Sequence, residues 1–149
     1  MPDRIVVSHV GEYRQALEQT IDRAAEIIRG MMESNAKQEI TEAVYDTPET
    51  WYRRTGLLRN SITAQTAKDG DDTCVVVGTN VNYAPYVELG TGIYATGGSR
   101  AHRLPWWYMG SDGQMHRTFG TAARPYLRPA VEDYARQYKN VLESELRKG

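Results

Sequence analysis

The amino-acid sequence predicts an α+β fold in which an antiparallel β-sheet is packed by a long N-terminal helix and a C-terminal helix. Three observations predict it. A long stretch near the N-terminus repeats apolar residues every three or four positions. Two pairs of short β-prone runs follow, and each pair flanks a turn that contains aspartate and glycine. A second helical period ends the sequence. Strands bracketed by helices in this order are typical of α+β domains.

The first predicted elements are a short strand over residues 4–10 and a long helix over residues 12–45. The helix is predicted from an apolar stripe formed by Tyr13, Leu17, Ile21, Ala24, Ile28 and Met32, which resumes at Ala36, Ile40, Ala43 and Val44. We expect a bend near Gly30 or Asn35. Pro48 ends the helix, because the residue before a proline disfavours helical backbone angles.

Two β-hairpins are predicted in the middle of the chain. The first pairs residues 63–67 with residues 73–79 across a turn rich in aspartate and glycine. The second pairs residues 105–110 with residues 114–119, and an Asp-Gly dipeptide lies at its turn. Together with the N-terminal strand, these hairpins form the expected sheet.

The remaining segments are a short helix, a loop and the final helix. Residues 83–89 predict a helical turn, because Pro85 is tolerated in a first turn. Glycine, serine and basic residues over 93–104 predict a loop. The final helix is predicted from about Pro129 to residue 147, and its stripe comprises Val131, Tyr134, Tyr138, Val141, Leu142 and Glu145 or Leu146.

Composition limits the class of protein. The 149 residues suit one domain, which we assign to 1–149 with a loop and hairpin insertion over about 93–122. The net charge of −1 removes the simplest argument for binding nucleic acid. Neither a signal peptide nor an apolar run of about 18 residues is recognisable, so we expect synthesis and initial retention in the cytoplasm, without membrane contact.

Motifs for catalysis, cofactors and metals are missing from the sequence. There is no nucleophile elbow, phosphate-binding loop or dinucleotide-binding glycine motif. His9, His102 and His116 have no histidine or cysteine at metal-ligand spacing. The single cysteine, Cys74, lies in a strand-like apolar run and is interpreted as a small buried residue. We therefore predict no catalytic, cofactor-binding or metal-binding residue, and a protein that is not an enzyme.

Glu88 is the one acidic residue embedded in a short apolar segment, Tyr-Val-Glu-Leu. An embedded carboxyl can act as a general acid or base. More commonly such a carboxyl pairs with an arginine or caps a nearby turn, and of these we favour pairing, with Arg124 and Arg59 as the candidate partners. We therefore expect Glu88 to brace the structure.

A basic and aromatic cluster lies in the insertion and comprises Arg100, His102, Arg103, Trp106 and Trp107. Basic residues interleaved with aromatic residues can bind single-stranded nucleic acid. A loop that docks on a protein partner would have the same composition, since aromatic residues and arginine are enriched at protein interfaces. The small number of charges favours the second interpretation.

Three segments together resemble one family. Residues 55–62 (TGLLRNSI) resemble a Thr-Gly-x-Leu-x-x-Ser-Ile segment that follows a long first helix. Residues 77–92 (VGTNVNYAPYVELGTG) resemble a strand that ends in Tyr-Ala and continues into Val-Glu-x-Gly-Thr. Residues 123–130 (ARPYLRPA) resemble an Arg-Pro-aromatic-Leu-x-Pro-Ala segment before the last helix. The family is that of the head–tail joining proteins of long-tailed bacteriophages, also called neck, tail-completion or minor tail component proteins.

This resemblance implies a non-enzymatic virion protein that forms a ring between the capsid portal complex and the tail and lets DNA pass. The implied partners are further copies of the chain, portal, adaptor or head-closure proteins, and tail proteins, with DNA only as transiting cargo. Alternatives are a tail-tube terminator, a minor capsid protein or a nucleic-acid-binding accessory protein. The insertion over 93–122 departs from the family pattern, so we expect it to carry this protein's own partner contacts.

Two groups of residues follow from these motifs. The expected structural motif positions are Thr55, Gly56, Leu58, Ser61, Tyr83, Glu88, Gly90, Thr91, Arg124, Pro125, Leu127 and Pro129. The candidate positions of a subunit or partner interface are Tyr86, Ile93, Tyr94, Arg100, His102, Arg103, Trp106, Trp107 and Tyr126.

Overall fold

A computed structural model describes residues 10–46, 56–96, 105–110 and 112–148. The helices and strands in chain order are α1 (Val10–Ile40), a π-helical segment (Thr41–Tyr45), α2 (Leu57–Ser61), β1 (Thr63–Asp69), β2 (Asp72–Gly78), α3 (Ala84–Leu89), a 3₁₀ turn (Gly92–Tyr94), β3 (Trp106–Met109), β4 (Met115–Thr118), α4 (Leu127–Glu132) and α5 (Ala135–Lys148). The α+β class is confirmed. The strand predicted over 4–10 lies almost wholly outside the described residues, as does the helix-ending Pro48.

Helix α1 is continuous through Gly30 and Asn35, and its last turn widens into the π-helical segment. Its buried positions begin only at Thr20 and continue with Ala24, Ala25, Met32, Ala36 and Ile40. The predicted stripe is therefore packed against other segments only over the C-terminal two thirds of α1. Tyr13 and Leu17 were expected to belong to the packed face, but both are exposed, Tyr13 by 73%, because the sheet and the other helices pack on α1 mainly beyond them.

Strands β1 and β2 form the first predicted hairpin, with Thr63 opposite Gly78 and Asp69 opposite Asp72. The two-residue turn begins with Gly70 at φ 61°. A positive φ at the first turn position alone is typical of a type II′ turn, for which glycine is the residue of choice. The local composition therefore fixes the register of this hairpin.

Alternate residues of β1 attach the hairpin to α1. The Ala64 amide donates to the Glu33 carboxylate at 3.0 Å, and the Thr66 hydroxyl donates to Glu26 at 3.1 Å. The hydrogen bonds from Lys37 and the Ala64 amide hold the pKa of Glu33 below its ordinary value, since both stabilise the charged form. Because side chains alternate along a strand, the face that carries Ala64 and Thr66 lies on the helix and the opposite face points away.

Strands β3 and β4 form the second predicted hairpin, with Trp107 opposite Arg117 and Met109 opposite Met115. It does not join the first hairpin. Within the described ranges there are two separate two-stranded sheets rather than the single sheet expected. The second hairpin belongs to the insertion, and segments on either side of it attach to α3 and the 3₁₀ turn instead of extending β1 and β2.

The C-terminal region contains two helices where one was predicted. Helix α4 begins two residues before Pro129, and the chain makes a turn at Asp133 and Tyr134 before α5. The Tyr138 hydroxyl donates to the Ala130 carbonyl and accepts a hydrogen bond from Asn35 of α1 at 3.0 Å. One tyrosine therefore connects α5 to both α4 and α1.

The main core lies where α1, α2, α3 and α4 meet. Its buried members are Ala36, Ile40, Leu58, Ile62, Ala84, Tyr126 and Ala130. Three of them are alanines, which allow close approach of the helix backbones. Ile40, Ile62 and Tyr126 are the largest fully buried side chains.

We predict that Ile40→Ala lowers the free energy of unfolding by about 2–5 kcal/mol, because it removes buried methyl groups and leaves a cavity. Ile27→Ala is the matched control on the same helix, since Ile27 is 41% exposed and Ile40 is fully buried. Urea unfolding of both variants provides the measurement. Equal losses at the two positions would contradict the placement of the core.

Candidate functional site

The family-like segments meet at Glu88, whose side chain leaves α3 and reaches the start of α4. Its carboxylate accepts hydrogen bonds from the backbone amides of Tyr126, Leu127 and Arg128 at 2.8, 3.0 and 3.0 Å. The first amides of a helix have no partner within the helix and carry a partial positive charge, so a carboxylate satisfies them and gains from the helix dipole. Glu88 is therefore an N-terminal cap supplied from another helix.

The predicted ion pair between Glu88 and Arg124 is replaced by other contacts between the same two segments. Among the ion pairs of the described ranges, Glu88 is joined neither to Arg124 nor to Arg59. The Arg124 amide donates to the Val87 carbonyl at 2.8 Å, and its guanidinium approaches the Ala43 carbonyl at 3.5 Å. The two segments are braced as expected, but by backbone amides rather than by a guanidinium.

Gly90, Thr91 and Gly92 form a close backbone contact with residues 119–121. The Thr91 amide donates to the Thr121 carbonyl at 2.8 Å, and the Ile93 amide donates to the Phe119 carbonyl at 3.0 Å. A Cβ atom on Gly92 would collide with the Phe119 carbonyl group, and the φ of Gly92 is 61°. No other residue fits there without moving the backbone, so Gly92 allows the close packing of the Gly-Thr-Gly motif on residues 119–121.

The segment from Gly56 to Ser61 forms α2 and its entrance. Gly56 has a φ of 77°, as expected for a sharp reversal, while Thr55 lies outside the described residues. Leu58 belongs to the core, and the Ser61 hydroxyl contacts the Thr79 hydroxyl and donates to the Leu58 carbonyl at 2.7 Å. These motif positions shape the end of the first hairpin.

The last two motif segments supply further packing. Tyr83 and Leu127 lie against the core and are partly buried. Pro125 shortly precedes the start of α4, and Pro129 lies in its first turn, where a missing amide costs no helical hydrogen bond.

The predicted interface residues divide into four groups. Tyr86, Ile93, Tyr94 and Trp107 are about half exposed or more, whereas Trp106 is partly buried. Arg100, His102 and Arg103, which carry the charges of the predicted basic cluster, lie outside the described residues. The interface role predicted for Tyr126 is wrong, because this side chain is fully buried in the core.

Tyr126 carries a polar group into that core. Its hydroxyl has no hydrogen-bond partner among the described residues. Burial, with a contribution from nearby Glu88, raises the pKa of Tyr126 far above its ordinary value. The aromatic ring fills the core between α1 and α4, and the hydroxyl remains neutral.

Sequence reasoning missed several exposed apolar residues of the insertion. Met109, Met115 and Phe119 are each at least half exposed. The alternation of Trp107 and Met109 within a predicted strand was the available signal, since residues two apart share one face. Gly120 was also missed; its φ of 119° and its contact with the Thr91 carbonyl become recognisable only when the two segments are brought together.

Tyr108 and His116 lie on the face of β3 and β4 opposite to Trp107 and Met109, and with Asp112 they form a small polar and aromatic cluster. His116 Nε2 lies 2.9 Å from an Asp112 carboxylate oxygen, and its ring lies 5.8 Å from that of Tyr108. The hydrogen bonds from the Gln114 amide and the His116 ring hold the pKa of Asp112 below its ordinary value. The Asp112 carboxylate also closes the turn, so this group has a structural role in the hairpin.

The described ranges contain few features that could bind a metal ion or a small molecule. No group of three histidine, cysteine, aspartate or glutamate side chains in those ranges could hold a metal ion. A surface cleft of about 440 Å³ is lined by Lys37, Gln38, Thr41, Glu42, Asp46, Arg59 and Asn60.

A membrane-spanning helix would need a long apolar stretch, and none of the helices within residues 10–46, 56–96, 105–110 and 112–148 has one.

We predict that Glu88→Gln lowers the free energy of unfolding by about 1–3 kcal/mol, because an amide offers one acceptor oxygen without charge to three backbone donors. The matched control is Glu132→Gln, which removes an exposed ion pair with Arg128 at 3.2 Å and should cost about 0–1 kcal/mol. Urea unfolding distinguishes them. Similar losses in the two variants would refute the capping role.

We predict that Gly92→Ala and Gly30→Ala have opposite effects. Gly92→Ala should lower the free energy of unfolding by roughly 2–4 kcal/mol, because the new methyl group collides with the Phe119 backbone. Gly30 lies within α1, and a Cβ atom added there would meet no other atom within 4 Å. Gly30→Ala should therefore stabilise the protein by about 0.5–1 kcal/mol. Thermal unfolding measures both changes, and tolerance of Gly92→Ala would contradict the close contact.

Comparison with known proteins supplies the family. No curated protein and no solved structure matches this chain. The family model for HK97-gp10-like proteins, described as a putative bacteriophage tail component, matches residues 7–90, which is more than half of the chain. This range includes α1, the first hairpin and α3 with Glu88, so the chain belongs to the HK97-gp10-like family of bacteriophage tail components and is a structural, tail-related protein of the virion.

Proposed function

We propose that this protein joins the phage head to the tail, as a neck or tail-completion protein that assembles into a ring between the portal complex and the tail. The ring would let DNA pass from the capsid. Further copies of the chain, portal, adaptor or head-closure proteins, and tail proteins are its proposed partners. The subunit would reside in the host cytoplasm before assembly and would have no catalytic activity.

The observation that carries this proposal is the apolar surface of the insertion. Among the described residues between 93 and 119, six large hydrophobic side chains are half exposed or more: Ile93, Tyr94, Trp107, Met109, Met115 and Phe119. Exposed apolar residues in such number favour a surface that is covered in an assembly. They belong to the insertion, which is attached to the α3–α4 scaffold by the close contact at Gly92.

Ring formation places a specific demand on such a surface. A closed ring needs two different complementary patches on each subunit, one for each neighbour. The near-neutral charge of the chain is compatible with a DNA channel, because each phosphate contact would add affinity and hinder passage. The low net charge therefore supports a connector over a nucleic-acid-binding protein.

Native mass spectrometry and electron microscopy test the proposal. The chain is studied alone and with the portal, head-closure and tail proteins of its phage. We expect a closed ring, formed alone or on one of these partners, and cryo-electron microscopy of the particle would locate it at the neck or at the end of the tail tube. A chain that remains monomeric and binds none of these partners would overturn the proposal.

A salt-dependent DNA-binding assay addresses the alternative function. We expect no binding that depends on the insertion. Binding at low salt that is lost in Arg100→Ala with Arg103→Ala would instead favour a nucleic-acid-binding accessory protein.

A further inference from the structure

The outer face of the second hairpin is apolar with one basic residue. The pairing of β3 and β4 and the alternation of side chains place Trp107, Met109, Met115 and Arg117 on one side. The three apolar side chains are 62%, 64% and 52% exposed. The Arg117 guanidinium lies 5.4 Å from the centre of the Phe119 ring, at the border of this patch. We call these four residues the Trp107 face.

The outer face of the first hairpin is negatively charged, opposite in sign to Arg117 on the second hairpin. Ala64, Thr66 and Lys68 face α1, so the alternate positions point away from it. Those outward positions are Gln65, Ala67, Asp69, Asp72, Cys74 and Val76, which we call the Val76 face. Val76 is 57% exposed and gives this face an apolar centre.

Two carboxylates on the Val76 face lie at an unfavourable position in the isolated subunit. Asp69 and Asp72 are directly opposite each other in the β1–β2 register. Like charges at opposed positions destabilise a strand pair. Among the ion pairs of the described ranges, none includes either aspartate, and the neighbouring Asp71 has only Arg14 at 3.7 Å. A cation from outside the subunit would relieve this repulsion.

The charges of the two outer faces are complementary. The Val76 face carries the carboxylates of Asp69 and Asp72, and the Trp107 face carries the guanidinium of Arg117. Each also has an exposed apolar centre, so the two faces match in both charge and apolar character. Complementary potentials of this kind fix the register of an interface.

We infer that the Trp107 face of one subunit docks on the Val76 face of a second copy of this chain, with Arg117 placed against Asp69 and Asp72. The inference rests on the proposed ring function and names its subunit interface. Because the two faces differ, each subunit can use both at once, and repetition of the contact generates a ring where the rotation between neighbours closes.

Exchanging the two opposite charges tests the electrostatic contribution of Arg117 and Asp72 to the inferred interface. Arg117→Asp and Asp72→Arg should each weaken self-association about tenfold or more, since close interfacial charge pairs contribute at this level. The two substitutions combined should restore association to within about threefold, because the pair is re-formed with reversed polarity. Arg136→Asp, at an exposed position of α5, is the control with the same change of charge. Analytical ultracentrifugation gives the association constants, and circular dichroism confirms that each variant is folded.

A cross-linking experiment tests the geometry with the native Cys74. In Met109→Cys, a short bismaleimide should join position 109 of one copy to Cys74 of the next and produce dimers, trimers and higher species. The series should disappear when Cys74→Ser is added. Val131→Cys, at an exposed position of α4, is the matched control and should give no such series.

The outcomes separate the inference from the proposed function. Rings that form normally, with no rescue by charge exchange and no cross-linked series, would overturn this interface and leave the connector function standing. Cross-linking of Met109→Cys that stops at dimers and survives Cys74→Ser would show a symmetric contact and also overturn it. Where the ring forms only on a portal or tail protein, both experiments are carried out on that complex. The absence of any ring or complex would overturn the connector function itself.

Discussion

The capping of α4 by Glu88 is the interaction on which the arrangement of this protein depends. Glu88 and Tyr126 are 38 positions apart, yet three backbone amides at the start of α4 converge on one carboxylate. The short helix has no capping side chain at its own N-terminal residue. A negative charge placed there satisfies otherwise unpaired donors and is favoured by the helix dipole. The same contact sets Tyr126 into the core and positions α4 against α1.

This constraint also determines what the insertion can do. The chain leaves the scaffold after α3 and returns before α4, and both ends are held by the Gly92 contact with residues 119–120 and by the bond from Arg124 to Val87. The second hairpin is thus held in place by these backbone contacts, and none of its described residues belongs to the main core. Segments of this kind can vary in sequence while the scaffold remains unchanged, which is how partner specificity is commonly encoded.

Both hairpins expose surfaces that are energetically unfavourable in the isolated chain. A two-stranded sheet is at best marginally stable on its own. The first hairpin gains support from α1 through Glu26 and Glu33, but its outer face carries opposed aspartates and an exposed valine. The second hairpin exposes tryptophan and methionine. Features that are unfavourable in a monomer become favourable when a complementary surface covers them, and this connects the tail-component family to a function in assembly.

Elements whose causes are local could be predicted from the amino-acid sequence alone. Apolar periodicity predicted α1, turn residues predicted both hairpins, and Pro85 in a first turn was consistent with α3. Features that depend on distant segments are visible only in the folded chain. Tyr13 is exposed because the described segments pack on α1 mainly beyond its first turns, the hairpins remain separate because the insertion attaches elsewhere, and Tyr126 is buried because Glu88 fixes the helix that follows it. An embedded acid in the sequence shows that a partner is needed, but only the folded chain brings the backbone amides of residues 126–128 within hydrogen-bonding distance.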